Sequence, residues 1–216
     1  MIDNKQFITI EGIDGSGKST FIPKIQKMIE ERFGEVVLTR EPGGTPFAEE
    51  LREIILNKPM TKMTEVLLAF AARAEHLEEL IIPALEKGKF VISDRFTDST
   101  LAYQGYGKGV PIEEIHTLTK LVQKDLEPGL TLIFTVPIEV SKERLGRTGK
   151  TPDKFESQNN EFFLNAIEGY EKIAQTNPER YKLIDSSKSL EHTEQQVNAY
   201  MEEYFSKFQK QKKNRP

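Results

Sequence analysis

The chain has 216 residues, 37% of them hydrophobic and 30% charged, with 14 glycines, 11 prolines, no cysteine and a net charge of −4. That composition supports one packed α/β domain and excludes a disordered chain, disulfides, thiolate metal sites and a cysteine nucleophile. The longest apolar run, Val66 to Ala72, is far short of the roughly 20 residues that span a bilayer, and the first residues lack the pattern of a signal peptide, so a cytoplasmic protein without a membrane partner is expected.

Phe7-Ile8-Thr9-Ile10 opens the chain as a short buried strand, followed by a glycine-rich turn and a helix from about Lys18 to Arg32. Pro23 falls inside that helix and should bend it near its start. Val36–Thr39 is the second strand; after a Pro/Gly turn come helices near Phe47–Leu56 and Glu65–Lys87, the latter closed by Gly88. Phe90–Ser93 and Leu130–Val136 are the third and fourth strands. Helices are expected near Pro111–Lys124, Ile138–Arg147 and Asn159–Gln175. A fifth strand, Tyr181–Ile184, precedes a closing helix, Leu190–Phe208. Apolar strands separated by helices predict a parallel sheet covered on both faces, with ligands at the carboxyl ends of the strands. Beyond residue 206 the chain holds Lys207, Lys210, Lys212, Lys213 and Arg215 and no acid, which leaves residues 1–206 more acidic than the whole. The tail reads as a disordered, solvated terminus, and the acidic body argues against a nucleic-acid partner.

The turn after the first strand is Gly12-Ile13-Asp14-Gly15-Ser16-Gly17-Lys18-Ser19, a glycine, four residues, then Gly-Lys-Ser. Glycines let successive backbone N–H groups face phosphate oxygens, and the next helix adds its positive end. Lys18 is expected to reach the β- and γ-phosphates and the Ser19 hydroxyl to ligate magnesium, so the chain binds a nucleoside triphosphate. A GTPase would need Asn-Lys-x-Asp, which Asn57-Lys58-Pro59-Met60 breaks at its fourth position. A small-molecule kinase needs a second anion site. Candidates stand after strand two (Arg40-Glu41-Pro42-Gly43-Gly44-Thr45, with Arg52 beyond) and after strand three (Asp94-Arg95-Phe96, then Asp98 to Gly105).

With Phe70-Ala71-Ala72-Arg73-Ala74-Glu75-His76 on the long helix, these segments resemble the thymidylate kinase family over about residues 6–205. The resemblance implies a three-layer phosphate-loop NTPase fold, five parallel strands with helices on both faces and a mobile lid at about 144–156. It implies ATP-dependent phosphorylation of thymidine monophosphate, with Mg2+, in a homodimer. Phe70 would stack on thymine, although the stacking aromatic can sit four residues before the arginine, where this chain has Ala69. Arg73 and Gln104 would read the base edge, with Ser99 and Thr100 as further candidates. Asp14 would accept from the sugar 3′-hydroxyl, and Arg95 and Arg52 would hold the acceptor phosphate. Asp94 would hold magnesium. Glu41 would serve the acceptor's side of the metal or fix its own turn. Asp185, with Ser186 and Ser187, would lie near adenine.

In the bacterial branch the lid supplies the catalytic cation. Here position 15 is glycine, and Arg147 is assigned that role, with Arg144, Lys150 and Lys154 nearby. Where the family commonly has Asp-Arg-x-Glu, this chain has Asp153-Lys154-Phe155-Glu156, which keeps the charge and loses the guanidinium fork. Two rivals remain open at this point: a deoxynucleoside kinase with Glu41 as base, and a nucleotide-binding switch without turnover.

Overall fold

The computed structural model of the protein describes residues 3–147, 149 and 153–213, with side chains of the last helix described to Lys210. Five parallel strands form one sheet: β1 (Phe7–Glu11), β2 (Val36–Arg40), β3 (Phe90–Asp94), β4 (Leu130–Thr135) and β5 (Tyr181–Asp185), in the order β2-β3-β1-β4-β5. β1 pairs with β3 from Phe7↔Val91 to Ile10↔Asp94 and with β4 from Ile8↔Leu130 to Glu11↔Ile133. Because β2 and β3 lie to one side of β1 and β4 and β5 to the other, the turn after β1 opens where the chain changes direction. That is the crevice in which ligands of such sheets bind.

The helices are α1 (Lys18–Phe33), α2 (Pro46–Asn57), α3 (Lys62–His76), α4 (Ile82–Glu86), α5 (Thr97–Thr100), α6 (Ile112–Gln123), α7 (Ile138–Gly146), α8 (Asn160–Thr176) and α9 (Leu190–Lys213). α1 and α9 cover one sheet face, where Ile8, Ile10, Phe21, Ile25, Phe90, Phe134, Val197 and Phe205 share a core. On the other face Val66, Phe70, Tyr103, Ile115, Phe162 and Tyr170 pack together from α3, α6, α8 and the segment after β3. Both faces of the central strands are therefore buried, which is why they read as unbroken apolar runs.

Several elements depart from the sequence expectation. α1 runs on through Pro23, whose side chain is exposed; so is Ser19, whose carbonyl would have been the partner of the missing N–H, so the break in bonding falls on the exposed side of the helix. The helix foreseen over 65–87 is α3 and α4 joined by a π turn, Leu77–Ile81. The wider turn falls just before Pro83, at the start of α4, where a regular α-helix would lose a hydrogen bond and meet the proline ring. A second π turn, Leu101–Gly107, extends α5 across a stretch to which the sequence reading gave no element. Tertiary packing makes that helix: a Cβ on Gly107 would stand 2.7 Å from the Phe162 ring, so glycine admits α8 there. The closing helix continues through Lys213, and Lys207 pairs with Glu179 at 2.6 Å and Glu203 at 2.8 Å. The first part of the supposed disordered tail thus belongs to α9.

Candidate active site

The crevice holds a cleft of about 220 Å³ walled by residues from the ends of three strands and from α2, α3 and the α5 segment. Its floor is the glycine loop 12–17. At Gly12 φ is 132° and a Cβ would meet the Phe134 carbonyl at 2.3 Å, so the loop can turn this tightly against β4 only with glycine there. Gly17 caps α1 in the left-handed region without a side-chain hydrogen bond, which leaves the helix start open to an anion. Lys18 folds back over the loop and donates to Gly12 O at 2.8 Å and Ile13 O at 3.2 Å. Burial, and next the Arg95 charge, push its ammonium down to about 8.

Arg95 crosses the cleft to the same carbonyl. Its Nη1 donates to Gly12 O at 2.9 Å and its Nη2 to Asp14 Oδ1 at 2.6 Å and the Tyr103 hydroxyl at 3.1 Å. Its backbone φ is 72°, in the left-handed region that a residue with a Cβ seldom occupies. Burial opposes charge on Asp14, but Arg95 and Lys18 outweigh it and hold that carboxyl at about 2. Beneath Arg95 lies Glu11, which accepts from Phe96 N–H at 2.7 Å, Ser99 Oγ at 2.6 Å and the Tyr170 hydroxyl at 3.0 Å. Burial and then the charge of Asp98 push the Glu11 carboxyl up to about 7. Ser99 is therefore committed to this network, although it lines the cleft.

The far wall carries Arg73. Its Nε donates to Glu41 Oε2 at 2.8 Å and its Nη2 to Thr100 Oγ1 at 3.1 Å, while Nη1 is buried without a partner. The other oxygen of Glu41 lies 3.0 Å from His76 Nδ1, and His76 Nε2 is hydrogen-bonded to Thr39 Oγ1 at 2.7 Å. Glu41 lines the cleft with one oxygen on Arg73 and the other on His76, so its carboxylate helps to hold Arg73 in place. Phe70 is a correction to the sequence expectation. It is 2% exposed in the core beneath Arg73, whose guanidinium carbon is 4.7 Å from its ring centre, and Ala69 lines the cleft instead. Gln104 and Arg52 line the cleft; Arg52 Nη1 donates to Pro42 O at 2.8 Å.

Asp94 ends β3 with its Oδ1 buried and unpartnered, while Ser19 is exposed on the first turn of α1. Among the described residues no cluster of three or more His, Cys, Asp or Glu stands ready for a metal. A single carboxylate oxygen and a hydroxyl still suit magnesium, which takes its other ligands from phosphates and water.

On the α7 side of the glycine loop Arg144 reaches Ser186 O at 2.7 Å and Gly15 O at 3.3 Å, so it touches that loop. Arg147 does not. Its side chain is 74% exposed and pairs with Glu143 at 2.5 Å. Asp185 turns its carboxylate to Ser187, accepting from N–H at 2.9 Å and from Oγ at 2.5 Å, beside Ser186, whose hydroxyl donates to Ser16 O at 2.6 Å. Thr148, Lys150, Thr151 and Pro152 of the supposed lid lie outside the described residues.

Sequence reasoning missed Tyr103, Glu11 and Tyr170. Tyr103 lay inside the segment Asp98 to Gly105, and Glu11 was visible as an acid ending an apolar strand. Tyr170 comes from a distant helix and left no local signal. Against known proteins, a family model described as thymidylate kinase matches residues 10–197. A thymidylate kinase of Methylobacillus flagellatus is 49% identical over 199 residues, 92% of this chain and 98% of the relative. One from Neisseria meningitidis serogroup B is 48% identical over 203 residues, 93% and 98% of the two chains. The crystal structure of thymidylate kinase from Ehrlichia chaffeensis superposes with a TM-score of 0.74 at 35% identity, covering 91% of this chain and 97% of that one.

Proposed function

The chain belongs to the thymidylate kinase family, and on that premise we propose how its own side chains carry out the reaction. It transfers the terminal phosphoryl group of ATP, its co-substrate, to thymidine monophosphate, and the diphosphate formed leads on to the triphosphate used in DNA synthesis.

What supports the residue assignment most is that Lys18 and Arg95 converge on one carbonyl, Gly12 O, from opposite walls. Two cations at one point make a pocket for a group whose negative charge is spread over several oxygens. In this reading the ATP phosphates lie on the loop 12–19, where Lys18 exchanges its backbone carbonyls for the β- and γ-phosphates. Arg144 lies along the donor side, and adenine rests against Asp185, Ser186 and Ser187. Arg95 and Arg52 hold the acceptor phosphate with planar forks. Arg73 and Gln104 meet thymine, Thr100 steadies Arg73, and Asp14 receives the sugar 3′-hydroxyl. The attacking oxygen is already ionised at neutral pH, so no general base is required. The protein supplies in-line positioning and neutralises charge.

Asp94 Oδ1 and the Ser19 hydroxyl would hold magnesium, which when bound adds positive charge alongside the phosphates. Arg147 joins the transferring group only when the lid closes and Glu143 releases it. Residues 1–206 with that lid form one catalytic unit. Exposed Phe47 and Ile54 on α2, Leu67 on α3 and Leu121 on α6 support a homodimer, since α2 packs on α3 and α3 on α6. No helix among the described residues is long and apolar enough to cross a membrane, and a cytoplasmic setting suits an ATP-consuming enzyme.

Turnover of magnesium-ATP with thymidine monophosphate, with thymidine, and with no acceptor tests this reading. Phosphorylation of the monophosphate alone is expected. Turnover of thymidine would make the chain a nucleoside kinase, and no turnover of either would make it a switch.

A further inference from the structure

One acid in the wall behind the cleft has no place in the reaction as described. Glu65, in the first turn of α3, is 1% exposed and collects three donors. Gln104 Nε2 donates to its Oε1 at 2.8 Å, Lys108 Nζ to its two oxygens at 2.6 and 2.8 Å, and Lys154 Nζ to Oε2 at 2.6 Å. Burial works to raise this carboxyl, but the donors hold it below the usual carboxylate range.

Two of those partners have a second duty. Gln104 lines the cleft, and an amide can present either end with nearly equal ease. Its NH2 group is committed to Glu65, so its carbonyl oxygen is the end left for a ligand. Beside it in the same wall is Arg73, whose Nη1 is a donor without a partner. An acceptor next to a donor matches the N3–H and O4 of thymine. The same pair opposes cytosine, which offers an unprotonated N3 and an amino group.

Lys154 is the other partner. A lysine ammonium has three donors, and this one faces Glu65, Ile55 O at 3.3 Å and Lys58 O at 3.3 Å. The two carbonyls stand at the C-terminal end of α2, where a cation is favoured. Lys154 is therefore spent on seating the foot of the lid, not on the phosphates. Its neighbour Phe155 lines the cleft, packs edge-on against Tyr103 at 5.9 Å, and lies under the Lys108 ammonium at 4.7 Å.

We propose that Glu65 is a positioning residue that joins base recognition to the seating of the lid: its carboxylate fixes which end of Gln104 faces the acceptor and anchors Lys154. The proposal rests on the reading that Gln104 faces the acceptor base. It makes the acceptor pocket and the lid share one anchor, so that filling the first steadies the second. The compact ammonium at position 154 serves that anchor by meeting three acceptors at one point.

The test uses the full chain with Glu65→Gln, Lys154→Met and Gln104→Ala. Steady-state kinetics are measured with thymidine and deoxycytidine monophosphates, and calorimetry follows a non-hydrolysable ATP analogue with and without thymidine monophosphate. With Glu65→Gln, the preference for thymidine over deoxycytidine monophosphate in kcat/KM should shrink at least about tenfold, because a freed amide accepts either edge. Lys154→Met should keep that preference. Both variants should lose the tightening of the analogue by thymidine monophosphate, which is expected to be about fivefold or more in the parent enzyme. A merely structural Glu65 would lower both acceptors alike, and that result overturns the proposal. So does wild-type coupling in Lys154→Met, a variant in which Lys108 and Gln104 still serve the Glu65 carboxylate and which tests the anchor even should Glu65→Gln fail to fold. Unchanged thymidine monophosphate affinity in Gln104→Ala would instead remove the premise that Gln104 faces the base.

Discussion

Replacing Glu41 by alanine separates an aiming role from a metal-facing one. Glu41 and Arg73 are 4% and 3% exposed, and their 2.8 Å contact is supplemented by His76 on the other carboxylate oxygen. Removing one member of a buried pair leaves the other charge uncompensated, at a cost of about 3–5 kcal/mol. Arg73 borders the cleft, so water can partly relieve its guanidinium, and the lower end, about 3 kcal/mol, is expected. For a chain of this size that lowers the midpoint of thermal unfolding by roughly 6–12 °C. The freed guanidinium should raise KM for thymidine monophosphate about tenfold while KM for ATP and the magnesium dependence stay put. Glu41→Gln, which keeps an acceptor for Arg73 Nε, should recover part of both losses. Thermal scans and steady-state kinetics on the two variants are sufficient. A preserved melting temperature with a fall in kcat and a displaced magnesium optimum would refute the reasoning, for then the carboxylate faces the metal.

Lys18, at about 8 in the free enzyme, should be driven fully to its charged form by phosphate oxygens, so nucleotide binding at pH 8 takes up close to half a proton and affinity declines as the pH rises further. Calorimetry in two buffers of different ionisation enthalpy reads that uptake, and Lys18→Ala should abolish it along with nearly all turnover; equal heats in both buffers would contradict the assignment. Arg144→Ala should weaken ATP binding measurably, whereas Arg147→Ala should slow single-turnover transfer with small changes in either dissociation constant; the reverse pattern would exchange their roles. Glu11, raised from 4.5 to about 7, contributes stability that is fully present below pH 4.5 and lost as the pH rises through 7. The stability advantage of the parent over Glu11→Gln in urea should therefore shrink by up to about 3 kcal/mol between pH 4.5 and pH 8, and an advantage that grows would reverse the sign.

The glycine loop and the strands were legible because their chemistry is contiguous: backbone curvature needs glycine at fixed spacing, and doubly covered strands need apolar runs. Position 70 was not. Ala69 and Phe70 are adjacent apolar residues about one helix turn before Arg73, and periodicity alone does not say which of them the cleft receives. Nor did the turn around Glu41 disclose its partners, which arrive from α3. The α5 segment carries hydroxyls and glycines that propensity assigns to a loop, and only α8 packing against it makes it helical. At the lid, Arg144 in the last turn of α7 and Arg147 at its C-terminal cap lie three residues apart, and the sequence offered no means to tell which turns inward. Lys154 read as a weakened arginine because its three acceptors come from α2 and α3.

The backbone at Arg95 sets the direction in which this position can change. Its left-handed φ is held by a hydrogen bond from its own N–H to Ile10 O at 2.9 Å and by Ser93 Oγ donating to its carbonyl at 2.7 Å. Such a conformation costs about 1 kcal/mol or more for any residue with a Cβ and nothing for glycine. Glycine here would be free of that strain but would leave the Asp14 carboxylate without the guanidinium that meets it at 2.6 Å, so the two effects on stability oppose each other. An exchange to glycine at this position trades backbone strain for an unpaired carboxylate, so heat resistance and activity have to be scored together whenever the loop after β3 is varied.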